Sequence, residues 1–157
     1  MTRGNARELA LHLIYSWEFT GDDPDQVVKA RLEEEYYKNL AEENEIYAER
    51  PSRKQISYID SIVSGVSTYL DELNRIIASH SIGWDVKRIS RLARAVMQLA
   101  IYEILYVEDV PDGVAASEAV RLAKKYDGDD TGSFVNGILG AYLRAKNAPA
   151  ETVPEEV

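Results

Sequence analysis

The chain has 157 residues, no cysteine and a formal net charge of −9. This length suits one domain with a substantial core, and the lack of cysteine excludes a disulfide framework and a thiolate metal site. No stretch approaches the roughly 18 uninterrupted apolar residues of a membrane span, and the start, MTRGNAREL, lacks the apolar segment of a signal peptide. We therefore expect a cytoplasmic protein with no membrane association.

The charge is distributed unevenly along the chain. Residues 22–49 carry three basic and ten acidic side chains, a net of −7, whereas residues 50–100 carry eight basic and four acidic side chains, a net of +4. An acidic chain is poorly suited to tight, non-specific nucleic-acid binding, which depends on Lys and Arg. It is compatible with a local basic face and with a basic protein partner.

The N-terminal part is predicted to be helical. Apolar residues recur at helical spacing over 5–19, and Asp25 is expected to cap a second, short helix. The acidic segment 31–54 is interpreted as an insert, for which a solvated helical extension is favoured because charge runs usually stay in water.

A capping box marks the start of the central part. Ser52 and Gln55, three residues apart, have the pattern in which each side chain bonds the backbone N–H of the other. The apolar stripe that follows predicts one long helix over 53–80. A short helical turn is predicted at Trp84.

Three helices are predicted in the C-terminal part. Ser90 is predicted to cap a helix over 91–107, Asp112 a helix over 113–126, and Asp130 a helix over 130–146. The helix over 91–107 is apolar nearly all round, which places it at the centre of a bundle. The tail, 148–157, is acidic and is predicted to be disordered. Without any alternating strand pattern, the sequence predicts an all-α, single-domain bundle of about seven helices.

The stretch FVNGILG, residues 134–140, combines an Asn-Gly turn signal with helical spacing. Glycine inside a helix costs roughly 1 kcal/mol relative to alanine. We therefore expect Gly137 and Gly140 to pack closely against the central helix, and Asn136 to bond the backbone of a neighbouring loop.

The sequence shows no catalytic constellation. His12 and His80 lie on different predicted helices and form no zinc-binding pattern, and no Gly-x-Ser-x-Gly elbow is present. The loop DGDDTG resembles half of a calcium loop, but its twelfth position is Ile138, where a bidentate Glu is required. We therefore expect no enzymatic activity, no metal and no cofactor.

Aromatic residues beside cations are the remaining functional signal. Arg3, Arg7 and Tyr15 lie along the first helix, and Lys124 and Phe134 flank the last loop. Exposed aromatics next to cations can bind single-stranded RNA. The alternative is a core position for Tyr15 and Phe134, since aromatic residues on helices usually face a core.

A set of short motifs gives a more specific indication of fold and function. The C-terminal third contains Trp84, Arg88, Tyr102-Glu103, Glu118-Ala119, Leu122-Ala123-Lys124 and Phe134-Val135-Asn136-Gly137, and the first helix reads ARELALHLIYSWEF. Together these motifs resemble the NusB family of bacterial transcription antitermination factors. The resemblance omits about 30–55 and the tail. It implies a NusB-like fold of two packed helical subdomains over residues 1–147.

The resemblance also implies a function. Family members bind the boxA element of nascent ribosomal RNA leaders together with ribosomal protein NusE, in a complex that keeps RNA polymerase elongating through ribosomal RNA operons. By position, the implied RNA-binding residues are Arg3, Arg7, Tyr15 and Phe134, to which we add the neighbouring Lys124. The implied partner-binding residues are Arg88, Arg91, Arg94, Tyr102 and Asp130.

Some positions depart from the family pattern. Gly4 and Asn5 stand where basic residues are common, Gln98 stands where Arg is usual, and Ser117 replaces an Asn. Fewer cations predict weaker RNA binding by the isolated chain and a shallower salt dependence.

Three alternatives stay open at this point. The chain could be a helical protein–protein adaptor that has lost its RNA face. It could be the NusB-like domain of a ribosomal-RNA cytosine methyltransferase, which is disfavoured because that enzyme needs catalytic cysteines and the chain has none. A homodimer is an alternative assembly.

Overall fold

The computed structural model describes residues 1–81 and 89–148, and within these ranges the chain is helical without any strand. The elements are α1 (Arg3–Thr20), α2 (Pro24–Arg31), α3 (Glu34–Leu40), a 3-10 helix (Glu45–Ala48), α4 (Arg53–Thr68), α5 (Leu70–Ser79), α6 (Arg91–Tyr106), α7 (Asp112–Asp127) and α8 (Asp129–Asn147). The all-α prediction is confirmed. The turn predicted at Trp84 and the tail predicted from 148 onward lie outside the described residues, apart from Ala148. None of the helices in the described ranges is long and apolar enough to cross a membrane.

Helix α6 lies at the centre of the bundle, as its apolar surface predicted. Every residue from Ala95 to Ile104 is buried. Helix α6 contacts α1, α4 and α5 of the N-terminal part and α7 and α8 of the C-terminal part. Since burying a large aliphatic side chain contributes about 1.5–3 kcal/mol, α6 is the main hydrophobic link between the N-terminal and C-terminal groups of helices.

The helix starts agree only partly with the predicted caps. Ser52 and Gln55 form the predicted capping box at α4, and Ser90 caps α6 through the backbone N–H of Ala93. The other predicted caps are wrong, because each of these aspartates lies inside the first helical turn: Asp25, Asp112 and Asp130. A carboxylate there still favours the positive end of the helix dipole.

The prediction of one long helix over 53–80 is wrong, because the helix is interrupted at Tyr69, which separates α4 from α5. At the break, the Thr68 hydroxyl donates to the carbonyl oxygen of Ser64 at 2.9 Å, a side-chain bond that often bends helices. Tyr69 has φ −104° and ψ 19°, and its ring stacks on Tyr106 with centroids 4.4 Å apart.

The solvated helical extension expected for the acidic segment 31–54 is also wrong. This segment folds into α3 and the 3-10 helix, and it buries Tyr37, Ile46 and Tyr47 in the main core. The glutamates of the segment are exposed, whereas the buried rings of Tyr37 and Tyr47 pack edge to face against each other. The segment is therefore an integral part of the fold.

The close packing predicted for the glycines of FVNGILG is wrong. Gly137 is exposed, and apart from its chain neighbours and the backbone of its own helix, no heavy atom of the described residues lies within 4 Å of a Cβ placed there. A Cβ at Gly140 would meet only the guanidinium of Arg144 on the same helix, at 3.2 Å. Asn136 is exposed and makes no loop bond in the described part of the chain.

This exposure gives the first testable prediction. Gly137→Ala is expected to raise the free energy of unfolding by about 0.5–1 kcal/mol, because alanine lowers the backbone entropy cost of a helix interior. Urea denaturation of the variant and the wild type measures the difference. A decrease would show that the backbone at Gly137 is constrained by a contact that the structure does not contain.

Candidate functional site

Helix α1 presents two exposed aromatic rings on one face. Tyr15 is 41% exposed and Phe19 is 70% exposed. Residues four apart in a helix are surface neighbours, with Cβ atoms about 5–6 Å apart. The structure therefore places the predicted Tyr15 at the surface, and it adds Phe19, which our sequence analysis missed.

A cavity of about 420 Å³ opens beside Tyr15. Its walls come from three parts of the fold: His12 and Tyr15 on α1, Arg31 at the end of α2, and Leu92 and Tyr126 at the facing ends of α6 and α7. An aromatic ring at the mouth of a cavity that also holds a cation can receive a planar group.

Lys124 and Phe134 lie where α7 meets α8. Lys124 is exposed, and its aliphatic stem crosses Gly132, where an added Cβ would lie 2.4 Å from Lys124 Cγ. Because Gly132 has no side chain, the stem of Lys124 can lie directly against the first turn of α8. Phe134, on the next part of that helix, is half-buried and packs against the core.

Arg7 does not lie at the surface. It is 2% exposed, and its guanidinium donates to both carboxylate oxygens of Glu103, with Nε to Oε1 at 2.6 Å and Nη2 to Oε2 at 3.0 Å. Tyr58 donates to the same carboxylate at 2.9 Å, and Glu118 lies 3.7 Å from Arg7. This placement supports a structural role for Arg7 and gives no support to a direct RNA contact.

Arg3 is accessible but engaged. Its side chain is 43% exposed, its Nη1 lies 3.2 Å from Asp109, and its guanidinium is 4.3 Å from the ring centroid of Tyr58. Exposed ion pairs contribute about 0–1 kcal/mol. Arg3 can therefore exchange Asp109 for a phosphate at little cost.

A buried polar network links α1, α7 and the acidic segment. The Glu8 carboxylate accepts from Lys125 at 2.6 Å and from the hydroxyl of Tyr126. His12 Nε2 is 2.7 Å from the Tyr126 oxygen, and His12 Nδ1 is 2.9 Å from the Tyr47 oxygen.

The network determines the tautomer of His12. Because Tyr126 donates its proton to the Glu8 carboxylate, its oxygen must accept from His12 Nε2–H. His12 Nδ1 then accepts from Tyr47, whose oxygen also accepts from Arg31 at 2.6 Å. Every group is satisfied when His12 is neutral.

His12 should therefore make stability depend on pH. Burial lowers the pKa of His12 to about 4, although the charge of Glu8 opposes this. The folded pKa is below the unfolded value of about 6.5, so the stabilisation is complete above pH 6.5 and is lost as the pH falls toward 4. At pH 5 we expect a loss on the order of 2 kcal/mol relative to pH 7.5. Urea midpoints of the wild type and of His12→Gln at both pH values measure it; an equal loss in the variant would contradict the assignment.

The predicted partner-binding residues within the described ranges fall into three places. Arg91 and Arg94 line a cleft of about 360 Å³ together with Glu18 and Gln98. Burial raises the pKa of the Glu18 carboxyl, opposed by a hydrogen bond with Gln98 and by the charges of Arg94 and Arg91. Gln98 is fully buried and donates to Asn74 at 2.8 Å. Arg88 lies outside the described residues.

Tyr102 belongs to an aromatic cluster at the break between α4 and α5. It is only 9% exposed, and the neighbouring rings carry the accessible surface, with Tyr69 at 38% and Tyr106 at 40%. The Tyr106 hydroxyl donates to Glu72 at 3.0 Å. Asp130 is exposed in the first turn of α8 and does not belong to this cluster.

In the described part of the chain, no group of three or more His, Asp or Glu side chains could hold a metal ion. Around the cavity, Arg31 donates to Tyr47 and Ser16, and Tyr126 donates to Glu8.

The comparisons with known proteins agree on one family. The NusB family profile matches residues 4–144. The chain is 37% identical over 150 residues to the transcription antitermination protein NusB of Symbiobacterium thermophilum, covering 96% of this chain and 94% of that one. It is 38% identical over 151 residues to the NusB of Acetivibrio thermocellus, again covering 96% and 94%.

Solved structures show the same fold. T. maritima NusB superposes with a TM-score of 0.75 at 26% identity, covering 92% of each chain. A chain from the crystal structure of antitermination factors NusB and NusE with double-stranded RNA has a TM-score of 0.70 at 24% identity, covering 91% of this chain and 96% of that one.

Proposed function

Since the chain belongs to the NusB family, we propose that it is a transcription antitermination factor that binds boxA-type RNA together with ribosomal protein NusE. In the cytoplasm it joins the complex that keeps RNA polymerase elongating through ribosomal RNA operons. It works by binding and not by catalysis. The observation that carries the proposal is the exposed Tyr15 beside the cavity on α1.

The RNA surface consists of Tyr15, Phe134, Lys124 and Arg3. The two aromatic rings stack on bases, and the two cations contact phosphates. Arg7 acts indirectly in this proposal, because its bond to Glu103 anchors α1 on α6 and so holds Tyr15 in place.

NusE binds a separate surface. The tyrosine cluster offers accessible rings at Tyr69 and Tyr106, with Tyr102 behind them and Glu72 beside them. An acidic group next to exposed aromatics suits a basic protein. Arg94, Arg88 and Asp130 keep the partner-binding role that the family resemblance implies.

The acidic charge of the chain has a consequence for affinity. With few phosphate contacts available, the free protein binds RNA weakly, and NusE supplies the missing cations. Gel shifts with boxA-type RNA across a salt series, with and without NusE, test this. Tight binding by the free protein at physiological salt would contradict it.

Tyr15→Leu tests the RNA surface directly. Base stacking on an aromatic side chain contributes about 1–3 kcal/mol, so we expect RNA binding by the NusE complex to weaken roughly 5- to 150-fold. Fluorescence anisotropy with labelled boxA-type RNA measures it, and the affinity for NusE alone is the control. Unchanged RNA affinity would remove Tyr15 from the surface.

A protein–protein adaptor is the second candidate. The observation in its favour is that Arg7 is buried and Arg3 is paired with Asp109, which leaves few free cations on α1. If Arg3→Ala and Tyr15→Leu both leave assembly with NusE on RNA unaffected, the adaptor function is supported.

A further inference from the structure

Phe19 is an exposed aromatic side chain in contact with a cation. It is 70% exposed at the C-terminal end of α1, and the guanidinium of Arg91, the first residue of α6, lies 5.0 Å from its ring centroid. A cation within about 6 Å of an aromatic face is attracted by the ring. The contact joins two helices at the surface and covers only part of the ring.

The charge of Arg91 is not consumed by an ion pair within the described residues. Glu18 lines the same cleft, and the charges of both Arg94 and Arg91 act on its carboxyl. Arg91 is exposed, so its guanidinium is accessible beside Phe19. The pair therefore presents an aromatic ring and one positive charge at the surface.

The pair is continuous with Tyr15. Phe19 follows Tyr15 by four residues, which places the rings on one face of α1. Arg91 contacts the Phe19 ring from the start of α6. Two aromatic rings and a cation therefore form one strip along α1 and the start of α6.

We propose that Phe19 and Arg91 form a second stacking platform for single-stranded RNA, which receives a base adjacent to the one held by Tyr15. The inference rests on the proposed function and extends its RNA surface by one nucleotide. RNA suits the strip because every base has a π-face and every nucleotide carries a negative phosphate.

Four variants test the platform in the complex of the full chain with NusE. Phe19→Leu keeps an apolar side chain but removes the ring, and we expect RNA binding to weaken about tenfold, within the range for loss of one stacked base. Phe19→Tyr keeps the ring and should bind like the wild type. Arg91→Gln should weaken binding and reduce the salt slope by about 0.7, the value for one phosphate contact on a single strand. Lys38→Gln, which removes an exposed cation on α3, is the matched control and should have no effect.

A series of shortened RNAs locates the contact. The tenfold effect of Phe19→Leu should disappear when the RNA is shortened by the nucleotide at that end, while the effect of Tyr15→Leu should persist. Circular dichroism confirms that each variant is folded.

The outcomes separate the inference from the proposed function. If the wild-type complex binds no boxA-type RNA, the proposed function itself fails. If the wild type binds and Tyr15→Leu weakens binding, but Phe19→Leu binds normally, the platform is overturned. If Phe19→Leu weakens binding of NusE in the absence of RNA, the strip is a protein interface and the RNA assignment is overturned.

Discussion

Arg7→Ala is expected to lower the free energy of unfolding by about 3–5 kcal/mol. The substitution leaves the fully buried Glu103 carboxylate without the guanidinium that donates to both of its oxygens, and breaking a buried ion pair on one side costs about this much. Tyr58 still donates to Glu103 at 2.9 Å, but a hydroxyl does not neutralise the charge. Urea denaturation followed by circular dichroism measures the loss.

Two further variants test whether the loss comes from the buried ion pair. Arg3→Ala removes an exposed arginine from the same helix and should cost no more than about 1 kcal/mol. The double variant Arg7→Leu with Glu103→Leu removes both charges, and it should recover much of the loss, because apolar replacements of a buried pair are often neutral. Equal costs for Arg7→Ala and Arg3→Ala would show that the buried pair contributes little.

The same variants separate stability from RNA recognition. The family resemblance implies an RNA contact for Arg7, whereas its burial supports an anchoring role. Any loss of RNA affinity in Arg7→Ala should therefore follow the unfolded fraction, and it should be restored in the Arg7→Leu, Glu103→Leu variant. Persistent loss of RNA binding in the folded double variant would favour a direct contact.

Arg3 and Arg7 show what the sequence could predict. Their positions on one helix are readable from spacing, but burial depends on a carboxylate 96 residues away on α6. The central position of α6 was predicted correctly, because a helix that is apolar on all sides is stable only where other helices cover it. The break at Tyr69 was missed because no proline or helix-breaking motif marks it, and it depends on packing of tyrosines from α6.

The acidic segment 31–54 was misread for a related reason. Its charge dominates its composition, yet four buried side chains are enough to attach it to the core: Leu32, Tyr37, Ile46 and Tyr47. The candidate site follows the same pattern. Tyr15 was predictable from family position, whereas the platform of Phe19 and Arg91 combines residues from two helices that only the tertiary structure brings together.

Gly65→Ala is expected to destabilise the fold by about 1–3 kcal/mol, the usual cost of overpacking a core. A Cβ at Gly65 would lie 2.1 Å from Cζ of Tyr102. The ring has little room to retreat, because it packs against Tyr69 and Tyr106, with centroids 6.3 and 5.3 Å away. The close helix contact expected at Gly137 thus occurs here, where α4 meets α6.

Gly137→Ala is the matched control, because the same substitution in an open helical position should stabilise. The double variant Gly65→Ala with Tyr102→Ala tests the mechanism. If the ring is the obstacle, Gly65→Ala should cost less in the Tyr102→Ala background than in the wild type, and the two effects should be non-additive by at least 0.5 kcal/mol. Additive effects would place the strain elsewhere.

Gly65→Ala also separates the two proposed surfaces. Displacing Tyr102 disturbs the rings of Tyr69 and Tyr106, which we assign to NusE, and leaves Tyr15 on α1 without a direct contact to the change. The folded variant should therefore bind NusE more weakly and lose RNA affinity only through that loss. If RNA binding weakens while NusE binding is intact, the tyrosine cluster belongs to the RNA surface, and the division between the two surfaces is wrong.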